Sequence, residues 1–500
     1  MFKRLSNKIA VSVLIAQGIF FCGCNEFLDE VPDNRTEIDS PEKVSELLVG
    51  AYPGASYFSI AESMSDNAMD VGPVFNQVDD INRAMYFWED TNLEDQDTPI
   101  EYWNACYKAI AQANYALRAI DELGGGAEMN PQKGEALVAR AYAHFMLVNL
   151  WAKAYNPDTA GQDLGVPYVT EPETEVIKDY KRISVQEVYD LIERDLLEGM
   201  KLIKNNYEEP KFHFTKEAAA VFASRFYLVL GKWNEVVKYS SQVLRGGAST
   251  SNLRDWAYLN SLSPEETEIQ YASSSQATNL LIVPTLSWYS RNYGYRRYGL
   301  TDNLSRLIFQ DDPTDKGWLY RIRVYTTSGL NFVTKYDEHF VYTNLNARIG
   351  YGYSMNVLFT HDEALLNRIE ANIMLGNKEV VAADLNAFLS KRISGYDPET
   401  DVLTYDELSA YYSARVEAGE YDPFYTIDAD KLPLIKCVEK CRQREFMHEG
   451  IRWLDTKRLG MEIIHEDYQG NQHVLTKDDP RRQLQIPQIA QNLGLEPNPR

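Results

Sequence analysis

Residues 218–231 read AAAVFASRFYLVLG, and this stretch decides the fold. Its small and apolar side chains favour a helix, which Thr215 opens as a capping residue and Gly231 ends. The residues that follow, through Leu244, are predicted to form a second helix with an apolar face. The sequence therefore predicts a helix-turn-helix hairpin at this point of the chain.

The same hairpin recurs further along the chain. The pattern predicts a first helix that begins at Asp362, a turn at Gly376 and a second helix that ends at Leu389. Leu244 and Leu389 each stand thirteen residues after the glycine of their own turn. Repeated helix pairs of this kind are typical of tetratricopeptide repeats, in which each pair buries its apolar face against the next. We therefore predict a mainly α fold with a scaffold of tetratricopeptide-like helix-turn-helix repeats.

Another helix is predicted to begin at Asn130. Its side chain is placed to cap the helix, and Pro131 then occupies the first helical position. Apolar residues recur at helical spacing through Trp151 on two faces of this helix. Neighbouring helices must therefore cover it on both sides.

The longest stretch without a helical pattern covers residues 246–350. It is rich in Ser, Thr, Asn, Gly, Tyr and Arg, and it contains strand-like runs at 280–286 and 331–336. Functional residues are often carried on such excursions from a rigid scaffold. We predict one domain over residues 24–500, with its scaffold over about 36–245 and 355–395, a loop-rich ligand-binding insertion with a few short strands over about 246–350, and a C-terminal region over 396–500.

The N-terminal residues predict export and lipidation. Residues 1–8 carry three positive charges, and the apolar run at 9–21 is typical of a signal peptide and too short to span a bilayer. Cys24 follows the small residue Gly23, whereas Cys22 follows the bulky Phe21 and is the poorer cleavage site. We predict a signal peptide over 1–23 and a body held at the membrane only by lipid on Cys24.

The composition excludes several classes of function. The 50 Lys and Arg residues against 73 Asp and Glu give a net charge of −23, which repels nucleic-acid backbones. Apolar residues at 44% and charged residues at 25% are typical of a folded, soluble chain. We therefore predict a globular domain with no nucleic-acid partner.

Metal and catalytic motifs are missing from the sequence. The seven His residues lack the spacing of a metal-binding pair, and Cys437 and Cys441 lack partner ligands, so we predict no metal and no cofactor. The sequence contains no P-loop, no Gly-x-Ser-x-Gly elbow and no His-Glu-x-x-His motif. We predict a protein that is not an enzyme, although the many carboxylates leave a helical glycoside hydrolase open.

Five blocks of the sequence follow one another in the order of a known family. They are 24–29 (CNEFLD), 102–110 (YWNACYKAI), 135–145 (EALVARAYAHF) with 165–167 (GVP), 444–458 (REFMHEGIRWLDTKR) and 485–487 (QIP). They resemble the SusD/RagB family of nutrient-binding outer-membrane lipoproteins. The charged residues of the fourth block are interpreted as a structural network between helices, because paired charges permit burial. They are Arg444, Glu445, Glu449, Arg452 and Asp455.

The resemblance implies a lipoprotein of the outer membrane that faces the cell exterior. Such a protein captures a glycan, or in some members a peptide, and delivers it to a SusC-like TonB-dependent transporter, over which it sits as a lid. Two other functions remain open from the residues: a tetratricopeptide scaffold that binds only proteins, and the surface glycoside hydrolase already mentioned.

Candidate ligand-binding residues are aromatic rings beside hydrogen-bonding groups, because the C–H face of a sugar stacks on such rings. The densest set lies in 288–298, with five rings and three Arg in eleven residues. The candidates there are Trp288, Tyr289, Tyr293, Tyr295, Arg296 and Tyr298. The Arg residues also suit an acidic ligand or a peptide carboxylate.

A second candidate region is 86–90 (YFWED), where Trp88 is the stacking candidate. Weaker candidates are Trp318, Tyr351 and Tyr353, which we interpret as loop residues. Packing against the core is the competing interpretation for all of these rings.

Overall fold

The structure is a computed structural model that describes residue 38 and residues 40–73, 80–172, 180–245, 247, 250–292, 296–325 and 329–500. Residues Ser40 to Arg500 form one compact unit. The predicted signal peptide and Cys24 lie outside the described residues.

Helices make up most of the regular structure. The α-helices of the described residues are α1 Pro41–Leu48, α2 Phe58–Met64, α3 Asp80–Tyr86, α4 Pro99–Glu122, α5 Asn130–Trp151, α6 Val185–Leu202, α7 Lys216–Val229, α8 Trp233–Val243, α9 Trp256–Ser261, α10 Pro264–Tyr271, α11 Tyr289–Asn292, α12 Asp302–Phe309, α13 His361–Leu375, α14 Lys378–Leu389, α15 Tyr405–Ser413, α16 Leu432–Glu445, α17 Ile451–Arg458 and α18 Gln488–Asn492. The mainly α fold class is confirmed.

The strands form small antiparallel sheets. They are β1 Met69–Asp70, β2 Asn279–Leu286, β3 Tyr298–Gly299, β4 Ile322–Tyr325, β5 Leu330–Val333, β6 Glu338–Asn344, β7 Ile349–Thr360, β8 Ile463–Glu466 and β9 Gln472–Leu475. The largest sheet has the order β2-β7-β6, and the pairs β1-β3, β4-β5 and β8-β9 form the others.

Both predicted helix-turn-helix hairpins are present. The first consists of α7 and α8, and the Thr215 side chain caps α7 by accepting the Ala218 N–H. Gly231 lies at its turn with a φ of +63°, a left-handed conformation that glycine adopts without steric cost. The second consists of α13 and α14, with Gly376 at its turn and a φ of +80°. The tetratricopeptide-like pairing is therefore confirmed.

The predicted cap of α5 is wrong in one respect. Asn130 is the first residue of the helix and not its capping residue, because the 3₁₀ turn Ala127–Met129 leads directly into the helix. From Gly134 onward α5 is buried, and it packs between α4 and α6. A Cβ on Gly134 would lie 2.8 Å from the Gly199 oxygen of α6, so glycine permits this close approach.

The stretch 246–350 contains helices that the sequence pattern did not predict. They are α9 to α12, and α10 begins with a capping box between Ser263 and Glu266. Strands β2 and β5 lie where strand-like runs were expected. The prediction that Tyr351 and Tyr353 are loop residues is wrong, because both lie in β7.

The predicted charge network near the C-terminus is confirmed. Its five members are buried, and carboxylates or cations from other elements pair with four of them. The pairs are Glu445 with Arg392, Glu449 with Lys335, Arg452 with Glu439 and Asp66, and Asp455 with Arg442 and Arg458. Arg444 instead donates to the backbone oxygens of Ile308 and Asp311.

Candidate functional site

The hairpin formed by β6 and β7 exposes several large apolar side chains. Strand β6 is the edge strand of its sheet, and it is exposed on both faces. Clusters of exposed apolar side chains of this kind often mark binding surfaces. The exposed large apolar residues of the hairpin are Phe340, Val341, Tyr342, Leu345, Ile349 and Tyr351.

One face of this hairpin is built on two glycines. The strand register places Phe340 opposite Gly352 and Tyr342 opposite Gly350, and opposite residues share a face. A Cβ on Gly350 would lie 2.7 Å from Cε1 of Phe340, and a Cβ on Gly352 would lie 3.0 Å from Cδ1 of Trp288. The glycines therefore allow both rings to lie close against the strand. We call this surface the glycine face, formed by Trp288, Glu338, Phe340, Tyr342, Gly350 and Gly352.

Polar groups lie beside the rings of the glycine face. Arg291 forms an ion pair with Oε1 of Glu338. The other carboxylate oxygen of Glu338, Oε2, is buried and has no hydrogen-bond partner among the described residues. The Phe340 and Tyr342 rings meet edge to face with their centroids 4.9 Å apart. The face thus combines partly exposed rings with a guanidinium and a carboxylate, which is the combination that stacks on a sugar and bonds its hydroxyls.

Trp288 is held in place by a residue from a distant part of the sequence. The Asp97 carboxylate accepts the Ser287 hydroxyl at 2.6 Å and the Trp288 backbone N–H at 2.9 Å. Asp97 has a φ of +61°, and its own N–H donates to Oε2 of Glu101 at 2.9 Å. The start of α4 therefore fixes the backbone that carries the Trp288 ring.

The buried Glu101 carboxyl is expected to make the stability of the protein depend on pH. Burial raises its pKa from 4.5 to about 8, and the charges of Asp97 and Asp95 add to the effect. The folded state then binds more protons than the unfolded state between these values, so the free energy of unfolding contributed by Glu101 falls as pH rises through this window. In Glu101→Gln the amide oxygen still accepts the Asp97 N–H but does not titrate. At each pH, calorimetry gives the melting temperature of the variant minus that of the wild type. We expect this difference to be more positive at pH 8.5 than at pH 5, and a difference that does not change with pH would contradict the prediction.

The structure places three of the candidate residues of 288–298 in the interior. Trp288 is half-buried on the glycine face, whereas Tyr289, Arg296 and Tyr298 are buried. Arg296 donates to the Ser59 hydroxyl. The other two candidates of this stretch, Tyr293 and Tyr295, lie outside the described residues.

Trp88 is part of a buried column of rings. Its indole N–H donates to the Met64 oxygen at 2.9 Å, and its ring stacks on His465 with centroids 4.4 Å apart. His465 stacks in turn on Tyr86, which stacks on Tyr298. This burial favours a packing role for Trp88 and Tyr298, and their contact with a ligand stays a prediction.

Sequence reasoning missed Glu338, Phe340 and Tyr342 as site residues. A usable signal was present in 350–353, which reads GYGY, because glycines that alternate with rings in a strand indicate a close approach of side chains from the neighbouring strand. Among the described residues, no group of three His, Cys, Asp or Glu side chains is arranged to hold a metal ion. None of the helices in the described part of the chain has the length and apolar character needed to cross a bilayer.

Comparisons with known proteins agree with this architecture. Residues 26–228 match a SusD-like family described as "Starch-binding associating with outer membrane". A SusD superfamily protein from Bacteroides thetaiotaomicron is similar in structure, with a TM-score of 0.66 at 18% identity, over 92% of this chain and 100% of that chain. A SusD-like carbohydrate binding protein from Bacteroides vulgatus is similar with a TM-score of 0.59 at 18% identity, over 88% of this chain and 89% of that chain.

A third structure, a SusD superfamily protein from Bacteroides fragilis, gives a TM-score of 0.65 at 17% identity, over 92% of this chain and 99% of that chain. No curated protein matches the sequence. At identities this low, the structural matches show a shared fold. The family match shows a similarity in sequence over residues 26–228. Residues 26–228 are thus similar in sequence to a SusD-like family, and the chain shares the fold of SusD superfamily structures.

Proposed function

We propose that this protein binds carbohydrate on the glycine face. The observation that carries the proposal is that the exposed Phe340 and Tyr342 rings and the half-buried Trp288 ring share one surface beside the Arg291–Glu338 ion pair. The family description and the carbohydrate-binding relative support a sugar as the ligand. On this proposal the ligand-binding insertion extends beyond residue 350 to include the first residues of β7.

We further propose that the protein delivers its ligand to a SusC-like TonB-dependent transporter. It would face the cell exterior at the outer membrane, held there by lipid on Cys24 after removal of residues 1–23. The family's described association with the outer membrane supports this location. An affinity pull-down of the lipidated protein from gently solubilised outer membranes tests the partnership. We expect a large barrel protein in near-equal amount, and its absence would contradict delivery to a transporter.

Ligand binding is tested by calorimetric titration of the full mature chain with soluble starch and a panel of other polysaccharides. We expect saturable binding without release of reducing ends. Release of reducing ends would instead favour a glycoside hydrolase. Failure of every polysaccharide to bind would contradict the carbohydrate proposal.

A peptide ligand is the second candidate, and the free edge of β6 favours it. An extended peptide can add to an exposed sheet edge through backbone hydrogen bonds, and Glu338–Asn344 lies at such an edge. Titration with a mixture of unstructured peptides separates the two candidates. A peptide bound by strand addition would add infrared absorption of β-sheet, whereas a bound glycan would not.

A further inference from the structure

A second cavity lies apart from the residues of the glycine face. It has a volume of about 240 Å³ and is bordered by the chain after α5, the chain before α16, the end of α17 and the chain after β9. We call it the basic cleft. The residues that decide its chemistry are Lys153, Tyr155, Phe424, Lys457, Lys477 and Arg482.

Lys457 is a buried cation without a carboxylate partner among the described residues. Its side chain is 7% exposed, and its ammonium donates to the backbone oxygens of Asn149, at 2.7 Å, and Ala152. These oxygens lie at the C-terminal end of α5, where the helix dipole favours a cation. The backbone oxygens carry no full negative charge, so they do not neutralise the ammonium. Burial, and to a smaller extent the positive charge of Arg482, lower the pKa of Lys457 to about 7, so its ammonium is fully charged only below that pH.

Arg482 is a second buried cation of the same kind. It donates to the backbone oxygens of Thr476, Met461 and Leu475, and its Nη1 has no hydrogen-bond partner in the part of the chain that the structure describes. Burial lowers the pKa of Arg482 to about 10, although Asp66, Asp479 and Glu462 act to raise it. Within the described part of the chain, these two buried cations beside the cleft therefore donate to backbone oxygens and not to carboxylates.

The acidic residues of the lining are largely committed to other cations. Asp163 pairs with Lys153 at 2.5 Å, Asp422 pairs with Lys477, and Asp479 pairs with Arg481 at 2.7 Å. The fourth, Asp478, is exposed. Arg458, which also lines the cleft, is paired with Glu370 and Asp455. Among the described residues, Lys457 and Arg482 are thus the cations of the cleft that form no direct ion pair, and a buried charge of this kind is costly unless an anion meets it.

The size of the cleft and its rings restrict the anion. Cavities for drug-sized ligands begin at about 300 Å³, so this one suits a single small ring. The Tyr155 and Phe424 rings lie in the wall with their centroids 5.8 Å apart, and they offer apolar surface next to the cations. A carboxylate carried on a sugar-sized ring meets both requirements.

We propose that the basic cleft binds a carboxylate on a monosaccharide-sized ring, which is the chemistry of a uronic acid residue. Such a residue occurs as a free acid sugar or at the end of an acidic glycan. The site uses residues separate from those of the glycine face, so it goes beyond the proposed function, and each site is testable without the other.

The test is calorimetric titration of the full mature chain with three probes. D-glucuronate presents the ring and the carboxylate, D-glucose the ring alone, and acetate the carboxylate alone. We expect D-glucuronate to bind at least tenfold more tightly than either of the others. Equal binding of D-glucuronate and acetate, or no binding of D-glucuronate, would overturn the proposal.

Two matched variants locate the site. Ala154 is a partly exposed residue of the cleft wall, and Ala154→Trp fills the cleft without removing a charge. Ala111 is a partly exposed residue of a different, apolar pocket, and Ala111→Trp is the control. We expect Ala154→Trp to weaken D-glucuronate binding at least tenfold with an unchanged melting temperature, and Ala111→Trp to bind like the wild type. Wild-type affinity in Ala154→Trp would place the binding elsewhere and overturn the proposal.

A charge variant and a longer ligand complete the test. Lys457→Met keeps the length of the side chain and removes the charge, so D-glucuronate affinity is expected to fall at least tenfold in a variant that calorimetry shows to be folded. A short oligoglucuronate distinguishes the two sources of the ligand. If the oligoglucuronate binds more tightly than D-glucuronate, the ligand is the end of an acidic glycan, and if the two bind equally, it is the single acid sugar. If Lys457→Met binds D-glucuronate as tightly as the wild type does, Lys457 is not the partner of the carboxylate, and this would overturn the proposal.

Discussion

Replacing Arg392 with Ala is expected to lower the free energy of unfolding by about 3–5 kcal/mol. Arg392 is fully buried, and its guanidinium binds both oxygens of Glu445 at 2.7 and 2.9 Å and Oδ1 of Asp362. Burial acts to lower the pKa of Arg392, but the two carboxylates raise it well above its ordinary value. Removing the guanidinium would leave both carboxylates buried without their strongest partner. Urea denaturation of the mature chain measures the loss.

Arg83→Ala is the matched control for this prediction. Arg83 also forms two hydrogen bonds to one carboxylate, that of Glu89, but both side chains are 44% exposed. Exposed ion pairs contribute about 0–1 kcal/mol, because water screens the charges and solvates either partner when it is left alone. A similar small loss in Arg392→Ala would mean that the buried network does not stabilise the fold.

The helical scaffold was predictable because the features that determine its helices lie close together in the sequence. In 218–231, small and apolar side chains, a capping Thr215 and a turn glycine all favour the same helix, and the repeat at Asp362 to Leu389 does the same. The charge network was predictable in kind but not in its partners. Arg392 lies 53 residues from Glu445 along the chain, and sequence alone does not state which cation meets a given carboxylate.

The candidate site was less predictable, for two physical reasons. Strand β6 is exposed on both faces, so it lacks the alternation of apolar and polar residues by which a half-buried strand is recognised. Trp88 and Trp288 are indistinguishable by residue type, since a tryptophan serves equally in a core and on a binding surface. Only the fold separates them, by burying Trp88 against His465 and placing Trp288 over Gly352.

The second large effect concerns binding on the glycine face. Phe340→Ala and Trp288→Ala are each expected to cost about 2 kcal/mol, or roughly 30-fold in affinity, for the polysaccharide of the panel that binds most tightly. Phe340 is 42% exposed, and the backbone of Trp288 is held by Asp97 independently of its ring. Neither truncation therefore opens a cavity in the core, and we expect melting temperatures close to that of the wild type. Calorimetric titration and thermal denaturation measure the two quantities.

Tyr351→Ala separates the glycine face from general exposure of the hairpin. Tyr351 is 48% exposed, much like Phe340, but the register places it opposite Val341 on the other face of the same two strands. A ligand stacked on the glycine face does not touch this ring, so affinity should be unchanged. If Tyr351→Ala weakens binding as much as Phe340→Ala does, the ligand contacts both faces, and a peptide paired along the β6 edge accounts for the site better than a stacked sugar.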